Sequence, residues 1–287
     1  MILFPNAKIN LGLNVLRKRE DGYHDLETIF YPIPIHDIIE IIIPPAENIP
    51  VEEKPILFGS TRIYFSTSGL HVDDEVTDNL CIKACKLVME KFAGLPDFIF
   101  HLHKNIPSGA GLGGGSSDAA NTLQLMNEIF QLELTIPQLE LLALQLGSDV
   151  PFFIRNTPVF AEKRGEQMEN IKVALSAYSM ILVHPDIHIS TKQAYSELLP
   201  RIPLESLKNN ISTPLQEWKD LIKNDFECLI FQKNPALATI KEQLYNSGAL
   251  FSSMTGSGSA IYGIFEKNKV PVLTFPSGYH WWFFPNI

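Results

Sequence analysis

Only three cysteines, Cys81, Cys85 and Cys228, occur in 287 residues, with no C-x-x-C pair and no Cys/His spacing of a zinc site. So sparse and odd a set excludes a disulfide framework and points to a reducing compartment, with Cys81 and Cys85 as helix packing. Runs of Lys and Arg are also missing. The 23 basic and 32 acidic residues leave a formal charge of −9, which argues against a sequence-independent grip on nucleic acid. No stretch of 18 apolar residues exists, and the opening MILFPNAKIN lacks the basic-then-apolar order of a secretory signal. Neither membrane spanning nor export is expected, and the cytoplasm is the expected location. A Gly-Lys pair is absent, which removes the Walker phosphate loop, and so are H-R-D and D-F-G, which removes the protein kinases. There is no long-period repeat and no low-complexity tract.

What is present is a chain 45% hydrophobic, long enough for about two domains. Ala7, Ile9, Leu11, Leu13 and Val15 alternate with Lys8, Asn10, Gly12 and Asn14, the period-2 pattern of a half-buried strand that puts Lys8 and Asn10 on one face. After the polar turn RKREDGYHD, the segment ETIFYPIPIHDIIEIIIP predicts more strand, interrupted by Pro32 and Pro34, and residues 44–55 read as a loop. Helices are expected over 79–92, from Ser116 onward, over 137–146 with Gly147 as its stop, and over 235–247 with Asn234 as N-cap and Gly248 as stop. Strands are expected over 98–103 and in YSMILVHP, a helix start in TKQAYSELL, and a strand, a glycine-serine turn and a second strand in ALFSSMTGSGSAIYGIF. The shift to charged and small residues over 155–167 marks the domain boundary, giving domains 1–160 and 161–287.

The stretch IPSGAGLGGGSSDAAN, residues 106–121, holds Gly109, Gly111, Gly113, Gly114 and Gly115 and then turns helical. Unpaired N–H groups at a helix start, approached through glycines, let phosphate oxygens come close, and such a local site would offset the acidic net charge. The alternative is a flexible turn of small residues. Gly109, Gly111 and Gly114 satisfy G-x-G-x-x-G, but a dinucleotide fold wants the first glycine directly after a strand and an acid about 20 residues on. Here KNIPS intervenes, and Glu128 and Glu133 fall in or just after a helix. His101 and His103 alternate on the strand beside the loop and read as structural, since two histidines without carboxylates make a weak metal site.

PSGAGLGGGSSDAA resembles the phosphate-binding motif of the GHMP superfamily, the galactokinases, homoserine kinases, mevalonate kinases and phosphomevalonate kinases. PNAKINLGLNV resembles its first motif and SSMTGSGSAIYGIF its third, so the likeness spans almost the whole chain in order. D-G-Y-H, residues 21–24, resembles the branch of that superfamily that phosphorylates a cytidyl diphosphate sugar alcohol in non-mevalonate isoprenoid synthesis. The likeness implies an α/β (α+β, two-layer) fold of two domains with the active site in the cleft between them. It implies an ATP-dependent small-molecule kinase, with Mg2+ bridging the nucleotide phosphates and no protein ligand assignable to it.

On that likeness Pro107, Ser108, Gly109, Ala110, Gly111, Leu112, Gly113, Gly114, Gly115, Ser116 and Ser117 hold ATP, and Asp149 in LGSDVPFF is the catalytic carboxylate with Lys8 its partner. Tyr23 stacks on cytosine, His24 hydrogen-bonds it, Tyr195 is the second aromatic of the base sandwich, and Asn10 and Thr191 contact substrate. Read singly, Lys8 is a solvated strand lysine and Asp149 a turn residue. The turn at residues 255–259 is expected near the phosphates, or else is a plain hairpin turn. The rival readings are another GHMP kinase of homoserine or mevalonate type, a dinucleotide-dependent oxidoreductase with a parallel Rossmann sheet, and a nucleotide-binding module without turnover.

Overall fold

The strand expected over 7–15 is longer than its pattern requires. After a two-residue β1 (Ile2–Leu3), β2 runs over Asn6–Lys18. Its polar positions are as buried as its apolar ones up to Val15, so the alternation does not mark one wet face. The polar side chains are instead supplied with partners, Asn14 for example donating to Glu27 Oε1 at 2.8 Å. In β3 (His24–His36), Pro32 and Pro34 lie inside the strand rather than interrupting it. Antiparallel pairing with residues 159–163 covers only Leu26 to Phe30, so the prolines lie beyond that ladder and owe it no donor.

The chain continues through β4 (Ile38–Ile42), β5 (Ile56–Phe58), β6 (Thr61–Gly69), α1 (Leu80–Lys91), β7 (Phe98–Lys104), α2 (Gly114–Ile129), α3 (Ile136–Leu146) and α4 (Phe152–Arg155). It then forms β8 (Val159–Lys163), β9 (Gln167–Asn170), β10 (Tyr178–His184), α5 (Thr191–Glu197), α6 (Leu207–Asn210), α7 (Trp218–Leu221), α8 (Phe226–Lys233), α9 (Pro235–Asn246), β11 (Phe251–Met254), β12 (Ile261–Glu266) and β13 (His280–Phe284). This computed structural model describes residues 1–45, 54–71, 75–267, 269, 271 and 273–287, so most of the loop expected over 44–55 lies outside the described residues.

The helix ends follow local chemistry. Asn79 caps α1 by accepting the Cys81 N–H, and α1 buries Cys81, Ala84, Cys85 and Val88 on one stripe, which accounts for the two thiols as packing. At α3 the Gln138 side chain accepts the Thr135 N–H at 2.8 Å and Gly147 follows the last turn. Asn234 precedes α9, but its side chain donates back to Ile230 O at 3.2 Å instead of capping, while Pro235 opens the helix.

The chain forms two compact units. Met1–Ala7, Ile35–Ser108 and Gly113–Asn156 make the first, and Lys8–Pro34, Gly109–Leu112 and Thr157–Ile287 the second. A single cut at 160 therefore describes only the last crossing. The early segment 8–34 goes with the later unit because β2 and β3 share a sheet with β8 and β9 in the order β2-β3-β8-β9. The first unit carries a five-stranded sheet, β1-β4-β7-β6-β5, in which β6 and β7 run parallel and the other pairings are antiparallel. The described residues build no parallel Rossmann sheet, the architecture the oxidoreductase rival requires. Apolar faces of β4 and β7 bury Ile39, Ile41, Phe98 and Phe100, and α1 packs on α2. The second unit adds the sheet β11-β12-β10-β13, whose Ile181, Val183 and Ile261 join Leu13, Phe226, Leu237 and Leu244 in one core. No helix of the described residues is long and apolar enough to cross a membrane.

Candidate active site

In the second unit, β2 brings Lys8 and Asn10 to the glycine loop. Lys8 is 3% exposed, and its Nζ donates to Asn10 Oδ1 at 2.6 Å and Gly111 O at 2.9 Å, lying 5.2 Å from the centre of the Phe30 ring. Its backbone N–H donates to Leu112 O at 2.9 Å, so the strand and residues 109–112 are joined by main chain as well. Asn10 is buried, and its Nδ2 donates to Thr28 Oγ1 at 2.8 Å. Its carbonyl oxygen is thus engaged by the Lys8 ammonium.

Thr255 closes this network from the turn between β11 and β12. Its Oγ1 accepts the Asn10 N–H at 3.0 Å, and the hydroxyl proton lies within reach of Gly111 O at 3.0 Å and Asn10 Oδ1 at 3.2 Å. Tyr262 OH donates to Asn10 O at 2.8 Å, and its complete burial pushes the phenol pKa well up, so it stays a donor. At Gly111, φ is +79°, and a Cβ there would meet Thr255 O at 2.1 Å, so this close approach of two backbones requires glycine. The turn expected near the phosphates is therefore seated on the glycine loop. His188, which the motifs did not mark, has its ring 3.5 Å from where a Cβ on Gly109 would stand.

The aromatic residues expected to hold a base also belong to this unit. His24 stacks directly on Tyr195, ring centres 5.1 Å apart and planes 28° off parallel, and Tyr195 meets Phe226 edge-on. A base has no room between rings at that spacing. Tyr23 is 56% exposed with the Arg164 guanidinium 4.8 Å above its ring, so one face of Tyr23 is already covered by a cation. Burial, and then Lys18, lowers the His24 pKa, favouring a neutral imidazole that can both donate and accept. Thr191, first residue of α5, shares a hydrogen bond with Ser257 of the glycine-serine turn at 2.9 Å.

In the first unit, Gly113 sits in the left-handed region and begins α2, with Ser116, Ser117 and Asp118 in its opening turns. Lys104, at the end of β7, bonds Asp37 and Asp118, the latter at 2.7 Å, all three side chains being buried. Burial works against the Lys104 charge, but Asp118 and Asp37 outweigh it and raise its pKa. Burial lifts Asp118 to about 7 over the opposing pull of Lys104. Asp149 stands half-buried in the turn between α3 and α4, in the first unit, whereas Lys8 belongs to the second. His101 and His103 share hydrogen bonds with Ser66 and Ser68 across the β6–β7 pair. Among the described residues no group of three His, Cys, Asp or Glu could hold a metal ion.

A buried lysine held by Asn10 and the glycine loop, with the turn of a C-terminal hairpin seated on that loop, is the arrangement expected from the likeness to the GHMP kinases. Residues 79–157 match the family model "GHMP kinases N terminal domain" and residues 205–272 match "GHMP kinases C terminal". The 4-diphosphocytidyl-2-C-methyl-D-erythritol kinase of Parabacteroides distasonis is 47% identical over 93% of this chain and 92% of its own length. The enzyme of the same name from Azobacteroides pseudotrichonymphae is 47% identical over 98% and 99%. The crystal structure of a 4-(cytidine 5'-diphospho)-2C-methyl-D-erythritol kinase superposes with a TM-score of 0.72 at 29% identity, covering 92% of this chain and 90% of that one. The chain belongs to the GHMP kinases and, within them, to the 4-diphosphocytidyl-2-C-methyl-D-erythritol kinase family.

Proposed function

We propose that the protein transfers the γ-phosphoryl group of ATP to the 2-hydroxyl of 4-diphosphocytidyl-2-C-methyl-D-erythritol, a step of non-mevalonate isoprenoid precursor synthesis, in the cytoplasm. The observation that carries this reading is likeness over nearly the whole length, at 47% identity, to enzymes of that name. The acceptor oxygen attacks the γ-phosphorus, the bond to the β–γ bridging oxygen breaks and ADP leaves, while the hydroxyl proton passes to the Asp149 carboxylate. Lys8, held by Asn10 and Gly111, supplies a fixed positive charge for the transferring phosphoryl group.

Residues 107–117 hold the ATP phosphates. Gly111 leaves no side chain between the loop and the Thr255 turn, and the start of α2 offers its free N–H groups. A magnesium ion would be bound together with ATP at residues 107–117. Bound there, the ion would neutralise phosphate charge. Tyr23, His24 and Tyr195 form the base site, with Tyr195 parting from His24 or Arg164 leaving Tyr23 to admit cytosine, and Thr191 completes the acceptor site beside Ser257.

The deciding measurement is ADP release with the cytidyl diphosphate methylerythritol, with homoserine and with mevalonate as acceptors. Turnover on the first alone is expected; none on it, or equal turnover on the others, overturns the assignment. In the same assay Asp149→Asn lowers kcat by at least about a hundredfold with little change in ATP affinity. A near-normal rate removes Asp149 from the role of base.

A further inference from the structure

We propose that Lys104 is a positioning residue for the nucleotide-phosphate loop: its ammonium, shared between Asp37 and Asp118, fixes the spacing between the loop's two ends. The inference rests on the reading of residues 107–117 as that loop. Asp37 Oδ1 accepts the N–H of Asn105 at 2.5 Å and of Ile106 at 2.8 Å, where the chain leaves β7 toward the glycines. Its other oxygen takes the Lys104 ammonium. That same ammonium donates to Asp118 Oδ2 at 2.7 Å, in the first turns of α2, where the chain leaves the glycines. The entry and the exit are therefore tied to one nitrogen. Gly114 permits the approach, because a Cβ there would stand 2.9 Å from Ile106 Cγ2 and 3.3 Å from Lys104 Nζ.

Stability alone does not account for the cluster. Buried charges are costly to desolvate, an apolar set of equal volume commonly does as well, and a cation at a helix start opposes the helix dipole. Two carboxylates face one ammonium, and Asp118 Oδ1 is buried with no hydrogen-bond partner among the described residues. An apolar plug could pack α2 against the sheet equally well. It could not hold two backbone N–H groups and a helix turn at a set distance.

Lys104→Met and Asp118→Asn test the assignment in the intact enzyme by steady-state kinetics alongside thermal melting. Each is expected to raise the KM for ATP about tenfold, with kcat at saturating ATP within about threefold and the KM for the acceptor unchanged. A lowered melting temperature with an unchanged KM for ATP overturns the inference, since a merely structural cluster gives that result. If Lys104→Met does not fold, Asp118→Asn decides alone, because it leaves the Lys104–Asp37 pair in place. Gly115→Ala separates the two readings: its Cβ would make only an ordinary 3.6 Å contact with Leu80 Cδ1, so the fold tolerates it while phosphate approach is impeded. A raised KM for ATP in Gly115→Ala with none in the other two variants overturns the positioning role and keeps the loop. An unchanged KM in Gly115→Ala overturns the loop reading and the inference with it.

Discussion

Thr255 shows how much one side-chain oxygen can arrange. It accepts from the main chain of β2, reaches the carbonyl of Gly111 and touches the amide that orients Lys8. Thr255→Val keeps the volume and strands the buried Asn10 N–H, so a loss of about 1–3 kcal/mol is expected in denaturant unfolding, accompanied by a lower kcat. Unchanged stability would show that the hydroxyl is dispensable. Lys8 and Asn10 were legible because they stand in a motif, but Thr255 was legible only as part of a turn, since its partners are 144 and 245 residues away. Lys104 had a signal that composition hides. It falls in register with Phe98, Phe100 and Leu102, on the buried face of β7, where a lysine needs a compensating charge.

At the scale of elements, the loop and the C-terminal hairpin act as one piece of backbone. Ala260 N–H donates to Ala110 O at 3.2 Å, and a Cβ on Gly256 would stand only 3.2 Å from Gly111 Cα. Gly111→Ala must place a Cβ 2.1 Å from a carbonyl oxygen at a φ of +79°, so it should cost about 2–4 kcal/mol by denaturant unfolding. Gly115→Ala should leave stability nearly unchanged, and equal losses in the two would refute the contact. Periodicity marked β2, β7, α2 and β10 well. It missed β8 and β9, whose charged positions take their place because β8 pairs with β3 and β9 with β8, and β13, which is a strand because β10 offers it an edge from Met180 to His184. The aromatic pair is a similar case: sequence placed His24 and Tyr195 in one site, but not in contact with each other.

For the whole molecule, three motifs in order were enough to indicate the two-domain α/β fold, because together they span almost the whole chain. The interleaving of the two units was not legible, since nothing in residues 8–34 says that their partners lie beyond 157. The segment 1–160 expressed alone should therefore fail to fold cleanly. Leu13 and Val15 would lack Ile181, Phe226 and Ile261, and the fragment should bind a hydrophobic dye and elute as aggregate in size-exclusion chromatography. A monomeric, dye-silent fragment would show the first 160 residues to be self-sufficient.

The same interleaving bears on how the chain is made. Phe30 must wait for Val159, and Leu13 for Asn224, before either acquires its partner. β2 and β3 are made before the segments that complete them, so during synthesis they pass through a period as an unsealed apolar hairpin. Holding that hairpin soluble until the final hairpin arrives is a task for translation rate and chaperones, one that the finished enzyme no longer displays.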